Sequence, residues 1–176
     1  MKLKERFLLI VLLLVTISVN AQNPADFKLV SATDNSQFVL SKAKGKYVAL
    51  HFLLKTECPF CLKQTNDYIA KSKGLPNVIQ IYIKPDEKKD ILAWTTKLSA
   101  DSQGSATPIY MDPDAKLANE FKVPDGYFFH NQIVHYPALI LLGPDGKEVF
   151  RYIGKKNTDR YSFEQLTAKI QELNKK

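Results

Sequence analysis

The apolar run Tyr47–Leu54, leading through Lys55-Thr56-Glu57 into Cys58-Pro59-Phe60-Cys61, constrains this chain more than any other feature. Interrupted only by His51, the run is long enough for a central strand buried on both faces. Leu62, Ile69 and Ala70 continue from the cysteines as a helix that stops at Gly74-Leu75-Pro76. A strand entering Cys-x-x-Cys at a helix start has a definite chemical use. The first cysteine lies near the positive end of the helix dipole, among N–H groups without intrahelical partners, where a thiolate is favoured. The second lies one turn further on, placed to attack a mixed disulfide and release the partner. Pro59 suits the first turn, because its missing N–H would have no intrahelical acceptor. Cys58 is therefore expected to be the exposed nucleophile and Cys61 the buried resolving thiol.

Other uses of two cysteines are less well served. A structural zinc site needs two more ligands, and His51, His130 and His135 have no finger-like spacing. No metal and no other cofactor is expected. A static disulfide closing so short a loop would remove little chain entropy. Nor does the fold need one: 176 residues, 45% of them hydrophobic, suffice for one ordinary core.

The first 21 residues stand apart from that domain. Lys2, Lys4 and Arg6 precede the apolar run Phe7–Val15, and Val19-Asn20-Ala21 places small or branched residues before a cut after Ala21. This is the pattern of a secretory signal peptide, with residues 22–176 as the mature domain. The run is short of the ~20 apolar residues a spanning helix needs, so no membrane span is expected after cleavage. Export across the inner membrane, into the periplasm, follows. The formal charge of +7 falls to +5 (22 basic against 17 acidic residues) when residues 1–21 are removed. The surplus lies in scattered lysines and pairs such as Lys88-Lys89 and Lys155-Lys156, without the aromatic interleaving of a nucleic-acid groove. No nucleic-acid partner is expected.

The remaining chain alternates. Phe27–Val30 and Gln37–Leu40 flank a polar turn and predict a hairpin. Val78–Ile83 reads as a strand, Asp86–Leu98 as a helix with Asp86 near its N-cap, Pro108–Met111 as a strand and Asp114–Phe121 as a short helix. Leu139–Leu142 and Glu148–Ile153 are antiparallel strands about the turn Pro144-Asp145-Gly146. Phe163, Leu166, Ile170 and Leu173 give one apolar face to a closing helix. Together these predict an α/β fold: a mixed central sheet flanked by helices, with an N-terminal β-hairpin extension.

Several segments carry a family resemblance. Asp26-Phe27-Lys28-Leu29, Phe38-Val39-Leu40-Ser41 and Gly45-Lys46-Tyr47-Val48 are similar to the entry hairpin of the thioredoxin-like superfamily, in the branch shared by peroxiredoxins and TlpA-like secreted thiol–disulfide oxidoreductases. Asp112-Pro113-Asp114-Ala115-Lys116-Leu117-Ala118 resembles the opening of the penultimate helix of that branch. His135-Tyr136-Pro137-Ala138-Leu139-Ile140 with Gly143-Pro144-Asp145-Gly146-Lys147 resembles its end. The resemblance implies a thioredoxin-like fold, with Pro137 as a cis-proline facing the cysteines and Tyr136 and Pro137 lining the substrate groove. It implies substrate proteins with disulfides or thiols, and a redox partner that recycles the dithiol. His51 stands where thioredoxins keep a buried acid, and is either a proton shuttle for the resolving thiol or a core histidine. Glu57 either disfavours the thiolate or points into water.

Two enzyme readings share this fold. The loop also aligns to peroxiredoxins with Cys61 at the peroxidatic position. Cys58 and Leu54 then replace that family's threonine and proline, and Pro137 stands about where its arginine would be. The mature chain has only Arg151 and Arg160, both downstream of Pro137. A peroxide pocket without these groups has little to stabilise a leaving oxygen. Disulfide reduction is therefore the expected activity, with thiol peroxidase as the alternative. A non-catalytic binding module is the further alternative, resting on the aromatic segment Val123–Asn131 as a docking surface or a cap over the sheet edge.

Overall fold

The apolar run becomes β3 (Tyr47–Phe52), and the rest of the chain covers its two faces. A computed structural model describes residues 25–55, 57–98, 107–129 and 132–175. The expected signal peptide, residues 1–21, and His130 lie outside the described residues. β3 pairs in parallel with β4 (Val78–Lys84) and antiparallel with β8 (Ala138–Leu142). β5 (Ile109–Met111) extends the sheet beyond β4, and β9 (Glu148–Ile153) returns antiparallel from β8, giving the order β5-β4-β3-β8-β9. The β8–β9 turn uses Gly146 at φ +81°, a left-handed conformation in which a side chain would be strained.

Alternation along β3 divides the core. Ala49 and Leu53 point towards α1 (Pro59–Lys71), α2 (Lys88–Thr95) and α4 (Phe163–Leu173), meeting Tyr68, Trp94 and Leu166 among others. Val48, Leu50 and Phe52 point the other way, towards α3 (Lys116–Glu120) and the hairpin of β1 (Lys28–Val30) and β2 (Gln37–Val39). The result is the expected thioredoxin-like α/β fold with its N-terminal β-hairpin.

Three segments depart from expectation. The second helix begins at Lys88 with Glu87 as its N-cap. Asp86 instead turns inward and pairs with buried Lys84 at 3.0 Å. The short helix Asp114–Phe121 is a 3-10 turn, Pro113–Ala115, followed by α3, with Asp114 and Ala115 in that turn at positive φ. Within the aromatic segment, β6 (Asp125–Phe129) pairs antiparallel with β7 (Gln132–His135) as a separate two-stranded sheet. Gly126 permits this pairing, since a Cβ there would stand 2.7 Å from the Val134 carbonyl oxygen. Phe128 is 70% exposed on this hairpin.

The register brings three loops together. Phe52 is opposite Ala138, and Ala138 is opposite Ile153. The exit of β3, the entry to β8 and the exit of β9 therefore share one end of the sheet.

Candidate redox site

Cys58 is the N-cap residue of α1 and Pro59 its first helical residue. The two cysteines form a disulfide with their Cα atoms 5.1 Å apart. The Cys61 N–H donates to Cys58 Sγ at 3.0 Å, so the helix start already directs a donor at the first sulfur. The Leu54 N–H donates to Cys61 Sγ at 3.3 Å from the loop leaving β3. Cys61 is fully buried and Cys58 is 6% exposed. The order of accessibility is the expected one, but Cys58 is nearly covered rather than exposed.

Its neighbour in that cover is Arg160, on the loop between β9 and α4. Arg160 Nη2 donates to Cys58 Sγ at 3.2 Å and to Cys61 Sγ at 3.3 Å. Nη1 donates to Gln64 Oε1 at 3.3 Å, and Nε to the Asn157 carbonyl at 3.0 Å. The loop is held on both sides. The Tyr161 carbonyl accepts from Gln64 Nε2 and the Tyr68 hydroxyl, both on α1. Asp159 accepts from the Tyr152 hydroxyl and the Lys155 N–H. Ser162 and Gln165 close a capping box at the start of α4. Sequence order had set Arg160 apart because it follows Pro137. The signal that could have found it is topological: two antiparallel returns bring the end of β9 back to the end of β3.

A second cation lies beneath. Lys84 is fully buried, donates to the Leu54 carbonyl at 2.8 Å and lies over the Trp94 ring. It thus holds the carbonyl of the residue whose N–H donates to Cys61. Burial pushes the Lys84 ammonium down and Asp86 counters it. Glu57 is exposed to water.

The Tyr136–Pro137 flank is built otherwise than expected. The bond is trans, since no cis peptide occurs among the described residues. The Tyr136 N–H donates to the Pro124 carbonyl at 3.0 Å, and the Tyr136 carbonyl accepts from His135 Nδ1 at 2.7 Å. Pro137 is buried, and its carbonyl accepts from the Gly154 N–H at 2.8 Å. The β6–β7 insertion thus takes up the backbone groups expected to meet a substrate chain. Pro137 still borders the site, sharing a small crevice with Gln64 and Arg160. The expected cis bond at Pro137 is thus not found, while the expected sheet order holds.

With the geometry in place, comparison with known proteins decides the family. The AhpC/TSA family model matches residues 20–149. The chain belongs to the AhpC/TSA family. The match ends before Arg160, so the loop bearing it and α4 lie beyond the matched residues. No curated protein is significantly similar in sequence. Among solved structures, the exposed lipoprotein thioredoxin of Streptococcus pneumoniae is 24% identical, with a TM-score of 0.62 over 84% of this chain and 99% of that one. Peroxiredoxin Q of Xanthomonas campestris is 21% identical, with a TM-score of 0.59 over 76% of this chain and 83% of that one. A mutant peroxiredoxin 6 of Arenicola marina is 17% identical, with a TM-score of 0.73 over 88% of this chain and 72% of that one. At these identities the likeness is one of fold.

In this AhpC/TSA domain His51 is locked into the core. Its Nε2 donates to Gln80 Oε1 at 2.7 Å, and its ring stacks on Tyr82 and meets the edge of Tyr68. Burial pushes the imidazole down to about 4, a poor acceptor for a thiol proton at neutral pH. His135 is also buried and held below its ordinary value, first by burial. Asp112 accepts from the Leu117 and Ala118 N–H groups and so caps α3. Among the described residues, no group of three or more His, Cys, Asp or Glu is placed to hold a metal ion.

Proposed function

We propose that this protein is an exported thiol–disulfide oxidoreductase that reduces disulfides in protein substrates of the periplasm. One observation carries the reading: the Cys58–Cys61 disulfide caps a helix start, with Cys61 fully buried and Cys58 6% exposed. In the reduced protein the Cys58 thiolate attacks a substrate disulfide, forming a mixed disulfide and releasing one substrate thiolate. The Cys61 thiol loses its proton and attacks Cys58 Sγ, releasing the second substrate thiolate and restoring the protein disulfide. Two electrons pass to the substrate, and a dithiol partner returns them. Export is supported by the signal-peptide pattern of residues 1–21.

Thiol peroxidase chemistry is the second reading, favoured by Arg160, which sets a guanidinium beside the sulfurs where the sequence suggested none. Stopped-flow mixing of the reduced protein with a disulfide-bonded protein, and separately with hydrogen peroxide, tests the choice. The dithiol reading expects the disulfide to react much faster, and Cys58→Ser to abolish that reaction. A peroxide rate constant well above that of an ordinary free thiol, with slow disulfide reduction, would overturn it.

A further inference from the structure

We propose that Arg160 is the built-in counter-ion of the Cys58 thiolate in the reduced protein, and that its charge sets the reducing strength of the cysteine pair. The proposal rests on the dithiol reading of the same site. Its basis is that one nitrogen, Nη2, lies within hydrogen-bond reach of both sulfurs, at 3.2 and 3.3 Å. A guanidinium against a neutral disulfide gains little. Once two electrons and one proton have entered the pair, Cys58 carries a full charge, and the same contact becomes an ion pair.

The cation is in place before the charge appears. Gln64 on α1 and the Asn157 carbonyl hold the other two guanidinium nitrogens, so the fork cannot leave without breaking contacts to the same helix that Cys58 caps. Burial pushes Lys84 and His135 down, and the Arg160 charge adds a small push in the same direction. Around the site stand Arg160, in contact with both sulfurs, the buried Lys84–Asp86 pair behind Leu54 and, next to Cys58 in the chain, exposed Glu57. Arg160 touches both sulfurs and accompanies the helix start in favouring the anion. The Cys61 N–H reaches Cys58 Sγ as well, so two donors of different origin converge on one atom.

A cation at this distance lowers the pKa of an anion-forming group by about 1–3 units. Removing it raises the free energy of the thiolate form and leaves the disulfide nearly untouched. The pair then becomes harder to reduce, and its potential more negative, by about 30 mV for each tenfold change in the exchange constant.

The test uses the full mature protein and needs no physiological substrate. Alkylation of Cys58 is followed against pH by peptide mass mapping, and the dithiol/disulfide ratio is measured in glutathione buffers. In the unmodified protein, Cys58 should ionise well below the ~8.5 of a free cysteine. Arg160→Gln should raise that value by about 1–3 units and, in buffer above both values, shift the exchange constant about tenfold towards the disulfide for each unit. Arg160→Lys should restore part of both shifts. Two results overturn the proposal: a Cys58 value in unmodified protein at or above that of a free cysteine, or a folded Arg160→Gln protein unchanged in both measurements. The first keeps the test decisive even if the variant fails to fold. Shifts of the expected size in a protein that reduces no disulfide would uphold Arg160 as counter-ion while rejecting the proposed substrate class.

Discussion

The disulfide has two flanks, and they differ in kind. On one side lies His135-Tyr136-Pro137, whose backbone is spent: the Tyr136 N–H and carbonyl and the Pro137 carbonyl all have internal partners. On the other side lies the loop 154–162, whose backbone and Asp159 contacts hold it in place while Arg160 reaches the sulfurs. The first flank shapes the site and the second supplies its charge. The two meet at Gly154, whose N–H donates to Pro137 while the loop folds back over its Cα. Family resemblance pointed to the flank that is structurally committed. The flank carrying the cation lies outside the family match, and chain topology is what brings it to the cysteines.

Gly154→Ala should have the largest effect, because it strains both flanks together. A Cβ would meet the Asp159 carbonyl oxygen at 2.3 Å and Pro137 Cγ at 2.8 Å. Overpacking of this sort costs about 1–3 kcal/mol, and a backbone atom on one side puts the expected loss at the upper end. Urea unfolding checks the loss. In the reduced protein, at a pH where the Cys58 thiol is fully ionised, faster Cys58 alkylation should accompany it, because the loop no longer covers the sulfur. Unchanged stability would mean that the flanks are not packed against each other.

Acidification should load His135 on the first flank, and His51 in the core beneath, while Arg160 stays charged. Burial leaves folded His51 and His135 with fewer protons than the unfolded chain below the ordinary value of 6.5. Stability therefore falls as the pH drops through that value, and for His51 it continues to fall until about 4. His51 alone predicts a loss of about 2 kcal/mol between pH 7.5 and pH 5. Urea midpoints in the two buffers measure it, and His51→Gln should flatten the dependence. A flat profile in the unmodified protein would show that the imidazoles are hydrated.

Smaller again is Asp159→Ala, which removes acceptors for the Tyr152 hydroxyl and the Lys155 N–H. The loop should loosen with a stability loss on the order of 1 kcal/mol, and reduced Cys58 should alkylate a few-fold faster at a pH where its thiol is fully ionised. Unaltered labelling would place the control of access elsewhere. Phe128→Ser should do least. Its side chain is 70% exposed, so stability should stay within about 0.5 kcal/mol. Disulfide reduction should also be unchanged, whereas a large loss of rate towards protein substrates alone would bring the β6–β7 hairpin into substrate binding.

Much of the fold was legible because its signals are periodic. The β3 run, the single apolar face of α4 and the Pro-Asp-Gly turn each specify one local answer, and the structure follows them. The cysteine pair was legible from local signals as well: a strand followed by a proline at a helix start fixes where Cys58 must lie. What escaped depends on contacts between residues distant in sequence. Asp86 was placed near the helix N-cap and lies one residue before it, but its pairing with buried Lys84 is a tertiary contact that local capping signals do not show. The Pro137 bond was read from resemblance, and the insertion Val123–Asn131 changed what its neighbours bind. Arg160 follows Cys58 by 102 positions, and only the strand order β3-β8-β9 reveals their meeting.

The central claim is that Cys58 attacks and Cys61 resolves. It is tested most directly by mixing reduced Cys61→Ala protein with a disulfide-linked peptide and locating the adduct by mass spectrometry. The account predicts a stable mixed disulfide on Cys58, absent from the unmodified protein because Cys61 clears it. No adduct on Cys58, together with ready adduct formation on Cys61 in the Cys58→Ala protein, would contradict it.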